Sequence, residues 1–122
     1  MALIQELDFI GIPSRDMDRA RSFYRDVLGM RPDEHSEYEQ WAGDTCFSVW
    51  EPEKVGMEFV VQTGNPLPLL VEDVHAARAE LERQGVEFAH DTIDSGVCLM
   101  AHFYDPDGNA LMFHHRYAPR KR

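Results

Sequence analysis

The sequence predicts an α+β fold built from two similar βαβββ modules. Two segments, 12–30 and 69–87, carry the same punctuation and align on Asp16 and Asp73. In each, a short apolar stretch leads to an aspartate suited to cap a helix, and a glycine closes the helix. Three strand candidates follow each helix. The same module therefore occurs twice, with a period of about 57 residues.

Each predicted helix has one apolar side at the 3.6-residue period, which indicates that it packs against a sheet. In the first helix that side consists of Met17, Ala20, Phe23, Tyr24, Val27 and Leu28. In the second it consists of Val74, Ala77 and Leu81.

The strand candidates complete the two modules. They are 34–41, 45–51 and 57–63 in the first, and 86–91, 97–104 and 110–116 in the second. We expect one domain over 1–122, with modules at about 1–63 and 66–118. Each sheet covers its helix with one face and curves the other around a cleft. An unrelated α+β fold with coincidental spacing is the alternative, and the matched helices argue against it.

Composition restricts the possible partners. The net charge of −10 argues against nucleic acid, which needs a basic surface. The acidic surface either attracts a cationic small molecule or only keeps the protein in solution. We expect no membrane span and no signal peptide, since no apolar run is long enough and the N-terminus lacks a basic region. Cys46 and Cys98 form neither a disulfide framework nor a CxxC motif, so a cytoplasmic location is expected.

Three stretches carry a family resemblance: "DFIGIPSRDMDRARSFYRDVLGM", "LLVEDVHAARAELERQGVEF" and "FYDPDGNALMF". Together they resemble the vicinal oxygen chelate superfamily, which includes glyoxalase I, extradiol dioxygenases, fosfomycin-modifying enzymes and bleomycin-resistance proteins. The resemblance covers essentially the whole chain. It implies the glyoxalase/bleomycin-resistance type of fold, whose members differ in chemistry, so function must come from the site.

The resemblance also implies where a metal would be held. Metal enzymes of this superfamily bind a divalent ion on the concave sheet, usually through His and Glu or Gln at four strand positions. Those positions fall at Phe9, near Ser48, near Pro66 and at Met112. Phe, Pro and Met lack suitable donors, and a neutral hydroxyl alone holds no divalent ion. We therefore expect no metal site of the usual type and no cofactor.

Strand alternation predicts which side chains share the face of Met112. If the turn 105–109 joins an antiparallel pair, Tyr104 lies opposite Ala110, His102 opposite Met112, and Met100 opposite His114. Leu111 and Phe113 then point to the helix layer. The resulting ligand-binding prediction comprises Phe9, Ser48, Trp50, Cys98, Met100, His102, Met112 and His114. This lining suits an apolar or planar ligand with a few polar anchors.

His102 and His114 are diagonal neighbours in that register and are the candidate catalytic residues. Three interpretations stay open. They line a pocket as hydrogen-bonding groups, they perform general acid–base catalysis, or with Cys98 they hold a soft metal.

The functional prediction is a metal-free protein that binds a small cationic or aromatic molecule, similar to the bleomycin-resistance proteins. That similarity also implies a homodimer. The alternative is a glyoxalase-like or dioxygenase-like enzyme, that is a lyase, isomerase or oxidoreductase, with a degenerate or relocated metal site. A purely structural or partner-binding domain is a third hypothesis.

Overall fold

The computed structural model describes residues 2–120 of the 122-residue chain. The chain divides into two compact units, and the boundary lies between Val60 and Val61. Each unit holds one four-stranded mixed sheet and one α-helix, in the order βαβββ. The predicted fold class is therefore confirmed. Within the described residues, no helix is long and apolar enough to cross a membrane.

The first unit is built around a parallel pair with antiparallel neighbours. Its elements are β1 (Ile10–Pro13), α1 (Met17–Ser22), β2 (Arg31–Pro32), β3 (Glu39–Ala42) and β4 (Thr45–Trp50). The strand order is β1-β4-β3-β2, with β1 parallel to β4 and the other pairs antiparallel. β4 therefore lies inside the sheet, with a paired strand along each of its two edges.

The second unit repeats this topology. Its elements are β5 (Leu67–Leu70), α2 (Val74–Arg83), β6 (Ile93–Asp94), β7 (Cys98–Tyr104) and β8 (Ala110–Arg116). The order is β5-β8-β7-β6, with β5 parallel to β8 and the other pairs antiparallel.

Both helices begin where the sequence predicts. The Asp16 carboxylate accepts from the backbone N–H of Arg19 at 3.0 Å, and that of Asp73 accepts from Ala76 N–H at 3.0 Å. These bonds satisfy backbone donors that a helix start leaves without intrahelical partners. The predicted aspartate caps are thus confirmed.

The helix ends also follow the glycine prediction. Gly29 and Gly85 have φ of 73° and 90°, in the left-handed region that glycine adopts without strain. α1 does not end regularly, however, because a π-helical turn, Phe23–Val27, follows it. This wider turn changes the direction of its side chains relative to α1.

Each core lies between one helix and one sheet face. In the first unit Ile12, Tyr24, Phe47 and Val49 are at most 3% exposed. In the second, the rings of Phe103 and Phe113 are 4.8 Å apart beside Leu111, which is fully buried. Leu111 and Phe113 therefore face the core, as strand alternation predicts.

The strand prediction for 57–63 is wrong. A short 3-10 helix, Pro52–Val55, ends at Gly56 with φ of 78°, and the following chain forms no strand through residue 63. Proline and glycine terminate regular pairing here. One backbone hydrogen bond connects this segment to a strand: the Gln62 carbonyl accepts from Ala110 N–H at 2.8 Å.

Two further strand predictions have wrong boundaries. In place of 34–41, the strands are Arg31–Pro32 and Glu39–Ala42, because the Asp33 carboxylate accepts from two backbone N–H groups at 3.0 Å and forms a turn. In place of 86–91, one bridge joins Phe88 to Phe103, and the strand lies at Ile93–Asp94. The candidates 45–51, 97–104 and 110–116 match β4, β7 and β8.

The "DPDGN" turn between β7 and β8 is a buried polar network. One Asp105 carboxylate oxygen accepts from the N–H groups of Asp107 and Asn109 at 2.9 Å, and the other accepts from the Asn109 amide at 2.8 Å. Asn109 in turn accepts from Gln62 N–H at 3.0 Å. Asp105 and Asn109 are 4% and 2% exposed, so this motif fixes the hairpin and does not face a ligand.

Candidate functional site

A groove of about 440 Å³ opens on the first unit at the end of β4. Its lining combines aromatic rings with a few polar groups. The chief contributors are Phe9, Tyr38, Glu39, Ser48, Trp50 and Glu51. This size and mixture suit a small organic ligand.

The aromatic wall of the groove consists of Trp50 and Phe9. Ser48 and Trp50 alternate along β4 with the buried Phe47 and Val49, so they face away from the core. A Cβ placed on Gly11 would lie 3.4 Å from Trp50 Nε1 and 3.9 Å from Phe9 Cε2. Both rings therefore lie against the backbone of Gly11. Phe9 precedes β1 and is 51% exposed, which leaves a large part of it free to contact a ligand.

Two carboxylates give the groove a negative charge. Glu51 Oε1 accepts from Met17 N–H at 3.3 Å, and its other oxygen lies 3.3 Å from Lys54 Nζ. Glu39 also lines the groove, and β3 places it directly opposite Ser48. Glu39 and Glu51 therefore outnumber the single ammonium of Lys54 in the lining, which favours a cation.

Arg25 fixes the segment that supplies the other wall. This side chain comes from the π-helical turn and donates to the carbonyls of Ser36 at 3.1 Å and Glu39 at 2.8 Å. It also donates to Gln40 Oε1 at 3.3 Å. These bonds hold residues 36–39, including the groove residue Tyr38, against the helix layer.

Cys46 lies on the same strand as Ser48 but is not available as a nucleophile. It is 5% exposed, and its sulfur lies 3.4 Å from Glu39 Oε2. Burial, followed by the hydrogen bond to Glu39, raises the pKa of the Cys46 thiol to about 11. The thiol therefore stays protonated at neutral pH.

The predicted pairing of β7 with β8 is confirmed in the second unit. His102 lies opposite Met112, Met100 opposite His114, and Tyr104 opposite Ala110. Of these, Met100, His102, Met112 and His114 are partly buried and alternate with the buried core residues Ala101, Phe103, Leu111 and Phe113. Imidazoles and thioethers thus share the face that points away from α2.

His102 has a partner that strand alternation did not predict. The ring of His90 lies 4.8 Å from the ring of His102, centroid to centroid. Burial and, second, the neighbouring His90 lower the pKa of His102 below its usual value. Among the described residues, His102 Nδ1 is a buried atom without a hydrogen-bond partner.

Cys98 lies at the start of β7 and takes part in a turn. Its sulfur is 3.0 Å from the Ser95 hydroxyl, and the residue is 8% exposed. On β8, His115 bonds through Nδ1 to the Val71 carbonyl at 3.0 Å. Tyr117 donates to the Asp94 carboxylate at 2.6 Å, a contact that closes the end of this sheet.

The eight predicted ligand-binding residues thus fall into two sets. Phe9, Ser48 and Trp50 line the groove of the first unit. Cys98, Met100, His102, Met112 and His114 lie on β7 and β8 of the second. Sequence reasoning missed Tyr38, Glu39 and Glu51, and also His90.

One of the missed residues left a signal in the sequence. With β3 and β4 joined by the short turn at 43–44, antiparallel pairing places Glu39 opposite Ser48. His90 left no such signal, because the bridge between Phe88 and Phe103 puts Ala89, and not His90, opposite His102. Nothing in the pattern marks Tyr38 or Glu51.

With this fold and groove described, comparison with known proteins decides the family. The sequence profile of the Glyoxalase/Bleomycin resistance protein/Dioxygenase superfamily matches residues 6–66, half of the chain. The chain belongs to this superfamily. No protein with a curated description matches it.

Several solved structures share the fold. A member from Sphaerobacter thermophilus is 21% identical, with a TM-score of 0.73 over 93% of this chain and 98% of that one. TnmS3, an antibiotic-binding protein from a Streptomyces species, is 22% identical, with a TM-score of 0.73 over 95% and 99% of the two chains. A protein from Bacillus anthracis described as of the glyoxalase family is 20% identical, with a TM-score of 0.76 over 95% and 98%. At these identities the similarity shows the fold alone.

The divalent metal of the superfamily's enzymes does not fit this chain. Phe9 and Pro66 carry no donor atom, Ser48 faces the groove as a neutral hydroxyl, and Met112 is a thioether. Across residues 2–120 no group of three or more His, Cys, Asp or Glu is arranged to hold a metal.

Proposed function

We propose that the protein binds a small organic cation with an aromatic part, in the groove of the first unit and without the superfamily's divalent metal. The observation that carries this proposal is the combination of Trp50, Phe9 and Tyr38 with the carboxylates of Glu39 and Glu51 around one groove.

The chemistry of the lining supports such a ligand. An indole face stacks on planar rings and attracts a cation positioned above it. Carboxylates at the edge compensate the charge of the bound cation, and the Ser48 hydroxyl offers one further polar anchor. The net charge of −10 adds a long-range field that favours cations over anions. The similarity of fold to an antibiotic-binding protein is consistent with a binding role.

Trp50 fluorescence tests the proposal directly. The chain has two tryptophans, so in a Trp41→Phe variant the emission reports on Trp50 alone. We expect 9-aminoacridine, a cation at pH 8, to quench this emission with a lower Kd than neutral acridine. The anionic dye 8-anilinonaphthalene-1-sulfonate is expected to bind least. Raising the salt concentration should weaken the binding of the cationic dye alone, because salt screens its attraction to the carboxylates.

Variants identify the groups responsible. Glu39→Gln and Glu51→Gln are each expected to raise the Kd of the cationic dye about 2- to 5-fold. This corresponds to the loss of up to about 1 kcal/mol that is usual for a charge pair near the surface. Glu87→Gln, which removes an exposed carboxylate from the second unit, serves as the matched control and should bind unchanged. Equal binding of all three dyes, or full affinity in both groove variants, would refute the proposed site.

The face of the second unit, taken by itself, is proposed as a second surface that binds such a ligand. It carries Cys98, Met100, His102, Met112 and His114. Loss of dye affinity in Met100→Ser, without loss of stability, would support that role. Unchanged affinity would confine the ligand site to the groove.

A further inference from the structure

The centre of the β7–β8 face carries neutral nitrogen and sulfur donors on adjacent strands. His102 lies directly opposite Met112, and the next pair on the same face is Met100 with His114. Side chains of directly opposed residues start from Cβ atoms about 5 Å apart, so an imidazole and a thioether can reach one point. His90 adds a second imidazole from the segment before β6.

We propose that His90, His102 and Met112 bind a cuprous ion, Cu(I), on this face. Met100, two residues from His102 on the same face of β7, can supply a fourth ligand. Its ligands are residues other than those that line the groove of the first unit, and it does not depend on the function proposed for that groove.

The spacing of the two imidazoles suits a shared ion. Their ring centroids are 4.8 Å apart and their planes are tilted by 49°. Two imidazoles whose nitrogens each lie about 2 Å from one metal have centroids on the order of 5–6 Å apart. A small side-chain adjustment therefore brings both rings onto one ion.

The hydrogen bonds of the rings leave lone pairs for a metal. His90 Nδ1 lies 2.9 Å from the Asp91 carbonyl, which can only accept, so Nδ1 carries the proton. Nε2 of His90 then has its lone pair available, and a carbonyl partner on the other nitrogen is the usual support of a metal-bound histidine. His102 Nδ1 has no partner within residues 2–120, so hydrogen bonding to this atom does not compete with an ion.

The donor set selects the metal. No third His, Cys, Asp or Glu joins the two imidazoles in the described chain, and the side-chain donor directly opposite His102 is the thioether of Met112. Thioethers bind soft ions such as Cu(I), whereas a divalent hard ion requires oxygen donors and negative charge. The family resemblance implies that Met112 stands where the superfamily's metal enzymes have a carboxylate ligand, and its thioether is a soft ligand in place of that hard one.

Competition for Cu(I) tests the site without any assay of activity. Under anaerobic conditions the protein is titrated into the Cu(I)–bicinchoninate complex, and loss of the complex's colour reports transfer of one ion per chain. His90→Gln, His102→Gln and Met112→Leu are each expected to weaken Cu(I) binding at least about 10-fold. Met112→Leu is the most informative variant because it keeps volume and apolar character and removes only the sulfur.

Matched controls come from the same chain. His115→Gln changes the neighbouring imidazole of β8 that bonds to Val71, and Met57→Leu removes an exposed thioether of the first unit. Both should bind Cu(I) as the wild type does. Thermal unfolding without copper checks that each variant is folded.

X-ray absorption of the wild-type protein loaded with Cu(I) gives a second readout that needs no variant. We expect both sulfur and nitrogen scatterers around the copper. Scattering from nitrogen alone, wild-type affinity in Met112→Leu, or a protein that cannot compete with bicinchoninate would each overturn the proposal.

Discussion

At the scale of single residues, the environment of Cys46 determines its reactivity. The thiol is 5% exposed and contacts the Glu39 carboxylate, and these two features raise its pKa to about 11. In a Cys98→Ser variant, we expect iodoacetamide to modify the folded protein slowly at pH 8. The rate should rise as the pH approaches 11. In the unfolded chain the rate should already rise at about pH 8.5, the ordinary pKa of a cysteine thiol.

The same pKa shift has a consequence for stability. At a pH between the pKa of Cys46 in the unfolded chain and its higher pKa in the folded protein, the unfolded chain has released the thiol proton and the folded protein has kept it. The free energy of unfolding should therefore fall as the pH rises through this window. Glu39→Gln, which removes the carboxylate, should lower the pKa of Cys46 and speed alkylation of the folded protein. A folded-state rate equal to that of the unfolded chain at pH 8 would contradict this account.

At the scale of elements, Arg25 connects the π-helical turn to β3. Its guanidinium donates to the carbonyls of Ser36 and Glu39 and to the Gln40 side chain. Arg25→Ala leaves these acceptors without that donor. We expect it to lower the free energy of unfolding by about 1.5–3 kcal/mol, the usual effect of hydrogen bonds to a charged group. Urea unfolding followed by circular dichroism measures the loss.

Arg25→Lys separates charge from geometry. A lysine keeps the positive charge, but its single nitrogen cannot reproduce the two donor nitrogens of the guanidinium, Nη2 to the two carbonyls and Nε to Gln40. We expect Arg25→Lys to recover less than half of the lost stability and to alter Trp50 emission, since residues 36–39 line the same groove. Full recovery by lysine would show that charge alone matters.

The "DPDGN" turn is a second element whose stability can be tested. Asn109 joins Asp105 on one side and the backbone of Gln62 on the other, and it is 2% exposed. Asn109→Ala removes both connections and should cost about 1–3 kcal/mol, because it leaves buried partners unsatisfied. Asp107→Asn, at the less buried position of the same turn, is the control and should change stability by less than about 0.5 kcal/mol. Similar losses in both variants would contradict the structural role of Asn109.

These elements also show how far the sequence could predict the fold. The β7–β8 register follows from alternation and a tight turn, both local properties, so each of its predicted pairs is confirmed. The prediction of a strand at 57–63 is wrong because the apolar residues of this segment have no partner strand. Its backbone hydrogen bond to a strand is the one from Ala110 N–H to the Gln62 carbonyl. Apolar character indicates burial or pairing but cannot say whether a neighbouring strand is present.

The candidate site was predictable to a similar degree. Phe9, Ser48 and Trp50 follow from strand faces and line the groove. Tyr38 and Glu51 do not, because their positions depend on a loop held by Arg25 and on the 3-10 helix after β4. Loop positions of this kind depend on side-chain hydrogen bonds, which have no period in the sequence.

At the scale of the whole molecule, the N-terminal segment indicates how the protein assembles. Leu3, Ile4 and Leu7 are 92%, 78% and 73% exposed within five residues. Monomeric proteins seldom keep large apolar side chains together in water, so we expect a second copy of the chain to cover them. The superfamily resemblance implies the same homodimer.

Native mass spectrometry at low micromolar concentration checks this expectation. We expect twice the chain mass for the wild type. A Leu3→Ser Leu7→Ser double variant should shift the population toward monomer, because it removes apolar area that association would bury. Leu70→Ser, at a residue of the second unit that is 81% exposed, is the matched control and should remain dimeric. A monomeric wild type would refute the homodimer, and dissociation by Leu70→Ser alone would move the interface to the second unit.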